Sequence, residues 1–254
     1  MGTHFKEQLY DPKTRLMGMF VKFPSIETME ILAGAGLDFV IVDMEHIPLN
    51  VETVYSMVTV AERCGMSALV RLRGHDTATA NTFLDAGVSG ILVPHCSPYE
   101  VAEQLIGDMV FPPAGRRGAG GGGRATQWGM DGPGEYRRGG DEGVARVPMI
   151  EDPEAVDDIE RILTISGLDA AFIGQGDLTQ TLGDREQAQT YVARALDACL
   201  AKGIPACITA YGNDIAARLM QGFQFLAIAN DTGLFTRAAQ NKLAEAKEAI
   251  ASVS

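Results

Sequence analysis

The chain has 254 residues, is 46% hydrophobic and 21% charged, and carries a formal charge of −12. That apolar content excludes a disordered chain, and the acidic balance, with a pI near 4.8, argues against nucleic-acid binding, which needs a basic face. No apolar run reaches the roughly 18 residues of a membrane span. The start of the chain has no apolar signal core, and Cys64, Cys96, Cys199 and Cys207 lack C-x-x-C spacing, so the expectation is a cytoplasmic protein with reduced thiols.

In chain order, short apolar runs alternate with helical patterns. Leu16 to Val21 reads as a first strand, and Ser25 to Ala35 as a helix with Ser25 as N-cap and Glu27 early, where the helix dipole favours acids. Phe39 to Val42 is a second strand, apolar throughout, as a strand buried on both faces should be. A helix over Val51 to Cys64 leads to a third strand, Ser67 to Val70, ending in Arg71. A helix over Thr77 to Ala86 leads to a fourth strand, Gly90 to Val93, followed by a helix over Tyr99 to Met109.

The regularity breaks over about 112–143, a glycine-rich stretch with Gly120 to Gly123 in a row, which reads as a mobile insertion and a candidate active-site lid. No G-K-[S/T] follows the glycines, so they make a poor phosphate loop. A β-α-β unit follows: Val147 to Ile150 delivers Glu151, Pro153 to Thr164 reads as a helix, and Ala170 to Ile173 leads through Gly174, Gln175 and Gly176 to Asp177. Helix Gln187 to Ala201, strand Pro205 to Thr209, helix Asp214 to Gln221, strand Phe225 to Ala229 and a final helix Phe235 to Ser252 complete the chain. Eight such repeats over about 250 residues predict a single α/β domain, 1–254, folded as a (β/α)8 barrel. The rival, a doubly wound open sheet, would favour a glycine fingerprint after the first strand, and G-M-F-V-K-F-P-S has none.

In such a barrel the reactive groups sit past the C-terminal strand ends. Those ends carry Asp43, Glu45 and His46 after strand two, Arg71 and Arg73 after strand three, Glu151 after five, Asp177 after six, and Asn230 with Asp231 after eight. Glu151 and Asp177 are either ordinary loop acids or a seat for a hard divalent cation such as Mg²⁺ or Mn²⁺, with positions left for water and substrate oxygens. His46 is either a general base or a histidine bonded to a neighbouring loop. Arg71, behind a buried run, must meet a carboxylate: a substrate's, or that of Asp43 or Glu45. Lys22 is the one lysine near a strand end, which disfavours Schiff-base chemistry.

The order D-x-E-H-x-P at Asp43 to Pro48, V-R at Val70–Arg71, L-D-A-G-V at Leu84 to Val88, P-P-A-G-R-R-G at Pro112 to Gly118, Glu151, G-x-x-D-L at Gly174 to Leu178 and D-T-G-L at Asp231 to Leu234 resembles the HpcH/HpaI aldolases. The resemblance implies a TIM barrel of the phosphoenolpyruvate/pyruvate type and a metal-dependent aldolase joining a 2-oxo acid to an aldehyde. It implies Mg²⁺ or Mn²⁺, with Co²⁺ a further candidate, on Glu151 and Asp177, with Glu45 in the outer shell. It also implies that Arg71, with Gly176, Asp177 and Gln175, binds the oxo acid. His46 would act as acid–base, supported by Asp43 and by Asp85 across a subunit interface. A last helix exchanged between subunits, in a trimer or hexamer, completes what it implies. Two departures touch the pocket: the family's G-P-x-D-L reads G-Q-G-D-L here, and His95 stands where an apolar residue is usual. The alternatives are a CoA-ester lyase of the citrate lyase β-subunit or malyl-CoA type and a barrel that binds an oxo acid without turnover.

Overall fold

The strands run β1 (Leu16–Val21), β2 (Phe39–Asp43), β3 (Ser67–Arg71), β4 (Gly90–Val93), β5 (Ala145–Ile150), β6 (Ala171–Ile173), β7 (Ala206–Thr209) and β8 (Phe225–Asn230), in a computed structural model that describes residues 3–253. All pair in parallel with their sequence neighbours, and β1 pairs with β8 to close the barrel. Closure settles the choice between barrel and open sheet.

Period-two alternation splits the apolar residues into two cores. Phe39, Leu69, Val147, Phe172 and Phe225 fill the barrel, while Val40, Val70, Ile91, Ile150 and Ile208 point outward beneath the helices. Demand on both faces is why the strands read as unbroken apolar runs.

The helices between the strands are α2 (Ile26–Gly34), α3 (Val51–Arg63), α4 (Thr77–Ala86), α5 (Tyr99–Gly107), α6 (Pro133–Glu142), α7 (Pro153–Asp157), α8 (Ile159–Ile162), α9 (Gln175–Leu182), α10 (Arg185–Lys202) and α11 (Asp214–Gln221); α1 (Thr3–Tyr10) precedes and α12 (Asp231–Val253) follows. Ser25 caps α2 as expected, its hydroxyl accepting from the Thr28 N–H. Three differences from the sequence reading stand out. The helix expected over Pro153 to Thr164 breaks at Asp158 into α7 and α8. Helix α1 was not expected; its Phe5 and Leu9, one turn apart, plug the N-terminal end of the barrel, with Phe5 5.7 Å from the Phe39 ring. The glycine-rich stretch is not a mobile lid over the site of its own barrel. It contains a 3₁₀ turn (Arg124–Gly129) and α6, buries Arg117 and Tyr136, and lies between α5 and β5, at the N-terminal end of the barrel.

The glycines there serve close approach. A Cβ on Gly120 would come 2.5 Å from Asp85 Oδ2, and one on Gly123 2.9 Å from the Asp85 carbonyl oxygen. Buried Arg117 completes the cluster: its Nη2 donates to Asp85 Oδ1 at 2.7 Å and its guanidinium lies 4.3 Å from the Phe111 ring centroid. Helix α12 behaves differently from the rest. Its first residue, Asp231, is buried, but Leu243, Ile250 and Val253 are exposed, so its length does not pack on its own barrel.

Glu62, in the last turn of α3, ties the start of β3 to the start of β4: its Oε1 accepts from the Ala68 N–H (3.0 Å) and from Ser89 Oγ (2.6 Å). Burial raises its pKa above the ordinary glutamate value despite these bonds. The folded protein therefore holds this proton where the unfolded chain has lost it, so this group's contribution to stability falls as pH rises through that range. Glu62→Gln keeps Oε1 and stays neutral. Its urea-unfolding midpoint should drop less than that of the unaltered protein as pH rises above the ordinary glutamate pKa.

Candidate active site

Parallel strands all present their C-terminal ends on one face, so the residues just past them converge. Asp43, the last residue of β2, is fully buried. Its Oδ1 accepts from Arg71 Nε (3.1 Å) and from the backbone N–H of Glu45 (3.0 Å) and His46 (3.3 Å), and its Oδ2 from Arg71 Nη2 (2.8 Å). Burial alone would raise its pKa, but the Arg71 hydrogen bonds and charge, helped by the His46 N–H and Lys22, hold it below the ordinary aspartate value. Arg71 also meets Glu45, Nη1 to Oε2 at 3.0 Å. The structural pairing open in the sequence is thus made twice over, and one N–H on each terminal nitrogen is left for a ligand.

Facing this cluster is Glu151, 1% exposed, whose Oε1 accepts from the His95 backbone N–H at 2.9 Å. Burial, with the charges of Asp177 and Glu45, pushes its pKa up to about 7 against the effect of His95. Asp177 lies in the first turn of α9, next to Gly176. Glycine at 174 is what lets β6 pass Glu151: a Cβ there would overlap the Glu151 Cβ and lie 2.7 Å from its Oε2.

His46 is half exposed, its Nε2 3.8 Å from Glu45 Oε2. On the other oxygen of Glu45 sits His95, with Nε2 at 3.7 Å; its Nδ1 is 3.2 Å from Asp152 Oδ1. Burial would lower the His95 pKa, but Glu151, Asp152 and Glu45 together raise it. His95 holds a positive φ of 51°, a left-handed conformation uncommon for a residue with a side chain. Gln175 donates from Nε2 to the Thr209 carbonyl (2.8 Å) and accepts at Oε1 from Arg218 Nη2 (2.9 Å), so its amide ties α9 to β7 and α11.

Between the clusters is a cavity of about 160 Å³ lined by Phe20, Lys22, Arg71, Gln175, Asp177 and Tyr211 among others. That volume suits a small acid. Two strand-end groups prove structural: Asp231 accepts from the backbone N–H of Lys22 and Phe23, and Arg73 donates to the carbonyls of Met44 and Leu49. Asp85 does not join the site within one chain, because α4 carries it to the opposite end of the barrel.

Among the described residues no group of three or more His, Cys, Asp or Glu side chains is arranged to hold a metal ion. Glu151 and Asp177 form a pair only, yet their chemistry fits a hard divalent cation. Both are oxygen donors, and the Asp177 carboxylate opposes the ionisation of Glu151 unless a cation lies nearby.

These features define a (β/α)8 enzyme that handles a small carboxylic acid. The chain belongs to the HpcH/HpaI aldolase/citrate lyase family, whose model matches residues 16–238. It is an aldolase, a carbon–carbon lyase, and the family is generally dependent on a divalent metal. It is 34% identical over 250 residues to a hydroxypyruvate/pyruvate aldolase of Chromohalobacter salexigens, covering 96% of this chain and 97% of that one. It is 32% identical over 254 residues to a 4-hydroxy-2-oxovalerate aldolase of Novosphingobium aromaticivorans, covering 97% and 95%. Among solved structures, an HpcH/HpaI aldolase/citrate lyase family protein from Burkholderia cenocepacia J2315 superposes with a TM-score of 0.87 at 29% identity, covering 96% of this chain and 99% of that one.

Gly174→Ala should displace the Glu151 carboxylate. We expect kcat to fall by about a hundredfold, since a shift of about 1 Å in a reactive group has that effect. Steady-state kinetics with any accepted donor reads it.

Proposed function

We propose that the chain is a class II aldolase that makes and cleaves 4-hydroxy-2-oxo acids, using pyruvate or hydroxypyruvate as donor and an aldehyde as acceptor. The observation that carries this is the small cavity whose wall includes Arg71 and Asp177, with Glu151 buried behind that wall and within reach of the Asp177 charge.

Glu151 and Asp177 are the residues that would hold Mg²⁺ or Mn²⁺, with Glu45 beyond them. When bound, that cation supplies the Lewis acidity that stabilises the enolate left as the C3–C4 bond breaks. The chain's own groups do the rest. The remaining Arg71 N–H groups hold the donor's carboxylate and keto oxygen. The amides of Gly176 and Asp177, in the first turn of α9, face an anion favourably. Asp43 keeps Arg71 in place, and its bonds to the Glu45 and His46 amides fix the turn that presents the His46 ring. That ring takes the proton of the 4-hydroxyl in cleavage, directly or through water, and returns it in addition.

Asp85 supports His46 only if a second subunit brings its N-terminal barrel end to this mouth. The exposed apolar residues of α12 and the rigid hold of Arg117 and Tyr136 on Asp85 support a trimer or hexamer with shared sites.

Incubating the protein with pyruvate in D₂O tests the donor half-reaction without an acceptor. The methyl signal should decay with Mg²⁺ or Mn²⁺ present and persist with EDTA or in Glu151→Ala. Persistence of this signal under every condition, and of the methylene signal when hydroxypyruvate replaces pyruvate, would count against the aldolase in favour of the CoA-ester lyase. The shared site is tested by co-expressing Asp85→Asn with Glu151→Ala: hybrids should recover activity that neither variant has alone, and a monomeric mass by light scattering would rule sharing out.

A further inference from the structure

Lys22 has no part in the reaction as described, yet it is built into the cavity wall. It lies two residues beyond Phe20, whose side chain belongs to the barrel interior, so strand alternation directs it over the barrel mouth. Its backbone is pinned: the Asp231 carboxylate accepts from the Lys22 N–H at 3.0 and 2.9 Å and from the Phe23 N–H at 2.8 Å. Its side chain is 26% exposed, and Nζ stands 3.7 Å from Asp43 Oδ2, an oxygen that Arg71 already occupies at 2.8 Å. Among the described residues the ammonium group makes no closer polar contact, whereas Arg71 is committed to Asp43 and Glu45.

The neighbours of Lys22 on the cavity wall include Asn230 and Thr209. Asn230 Oδ1 is occupied by Thr232 Oγ1 (2.9 Å) and the Gly233 N–H (2.7 Å), which leaves its Nδ2 as the group still to be satisfied. This end of the cavity therefore offers donors that want an acceptor. With the 2-oxo acid headgroup between Arg71 and the start of α9, a substituent on carbon 3 that turns toward β7, β8 and the exit of β1 meets these donors. A methyl group there leaves the donors unanswered; an oxygen answers them.

We propose that Lys22 is a specificity-determining residue whose ammonium group hydrogen-bonds an oxygen substituent on carbon 3 of the donor, so that the site selects 3-hydroxy-2-oxo acids over their unsubstituted or alkyl counterparts. This rests on the aldolase reading and decides the donor that reading leaves open.

The experiment compares hydroxypyruvate, pyruvate and 2-oxobutyrate, whose methyl group is nearly isosteric with the hydroxyl, in addition to glycolaldehyde with saturating Mn²⁺. In the unaltered protein kcat/KM should favour hydroxypyruvate over 2-oxobutyrate by about tenfold or more. In Lys22→Met that ratio should collapse toward unity, hydroxypyruvate losing more than pyruvate, and Lys22→Arg, which still donates, should restore part of it. Equal loss for all three donors would place Lys22 on the common carboxylate and overturn the proposal, as would an unchanged ratio. The donor series in the unaltered protein decides the matter even if Lys22→Met does not fold, since equal use of hydroxypyruvate and 2-oxobutyrate is also contrary to it. Turnover of none of the three would instead sink the aldolase reading, a distinct result.

Discussion

A carboxylate with no exposure to solvent must have its charge answered locally, and the mouth of this barrel is arranged around that requirement at Asp43. Its two oxygens collect the Arg71 fork, the amides of Glu45 and His46, and, more loosely, the Lys22 ammonium. Each partner is thereby fixed relative to the others: β1, β2 and β3 are locked in register at the one point where they must present side chains upward. A buried ion pair is a weak source of net stability, because desolvating both charges offsets most of their attraction. What it supplies here is direction, since the guanidinium has few other orientations in which it is not orphaned.

On the other side of the cavity the same physics runs with opposite sign. Glu151 is nearly as buried as Asp43, but its neighbours include the negative charges of Asp177 and Glu45, and its proton is held to about pH 7. One acid has its charge answered within the chain and the other does not. Two carboxylates at the ends of parallel strands therefore have pKa values displaced in opposite directions, set by burial and by the charges across from each.

Much of this was legible in the sequence. Strands buried on both faces leave unbroken apolar runs, so all eight could be placed, and once placed their ends named Asp43, Glu45, Arg71, Glu151 and Asp177 as neighbours. What was not legible depended on reading residue type as environment. Glycines 120 to 123 looked like freedom, yet two of them are there because Asp85 leaves no room for a Cβ. No sequence pattern marks Arg117 and Arg146 as core residues, yet both are buried beside acids or rings. The aim of Lys22 and the left-handed backbone of His95 belong to loops, where no periodicity reports direction. The distinction between Asp231 as a clamp on backbone amides and as a reactive acid likewise needed coordinates.

The closed ring also sorts its strands by duty. On the proposed reading, the groups that would meet the donor's carboxylate and keto oxygen follow β3 and β6, whereas the rest of the cavity wall is drawn largely from β7, β8 and the exit of β1. These two arcs share few side chains, the Gln175 amide and the Lys22–Asp43 approach being the main seams between them. An architecture divided in this way can change its diet without relearning its chemistry: substitutions on one arc alter what is accepted while the other continues to do the same work on whatever arrives.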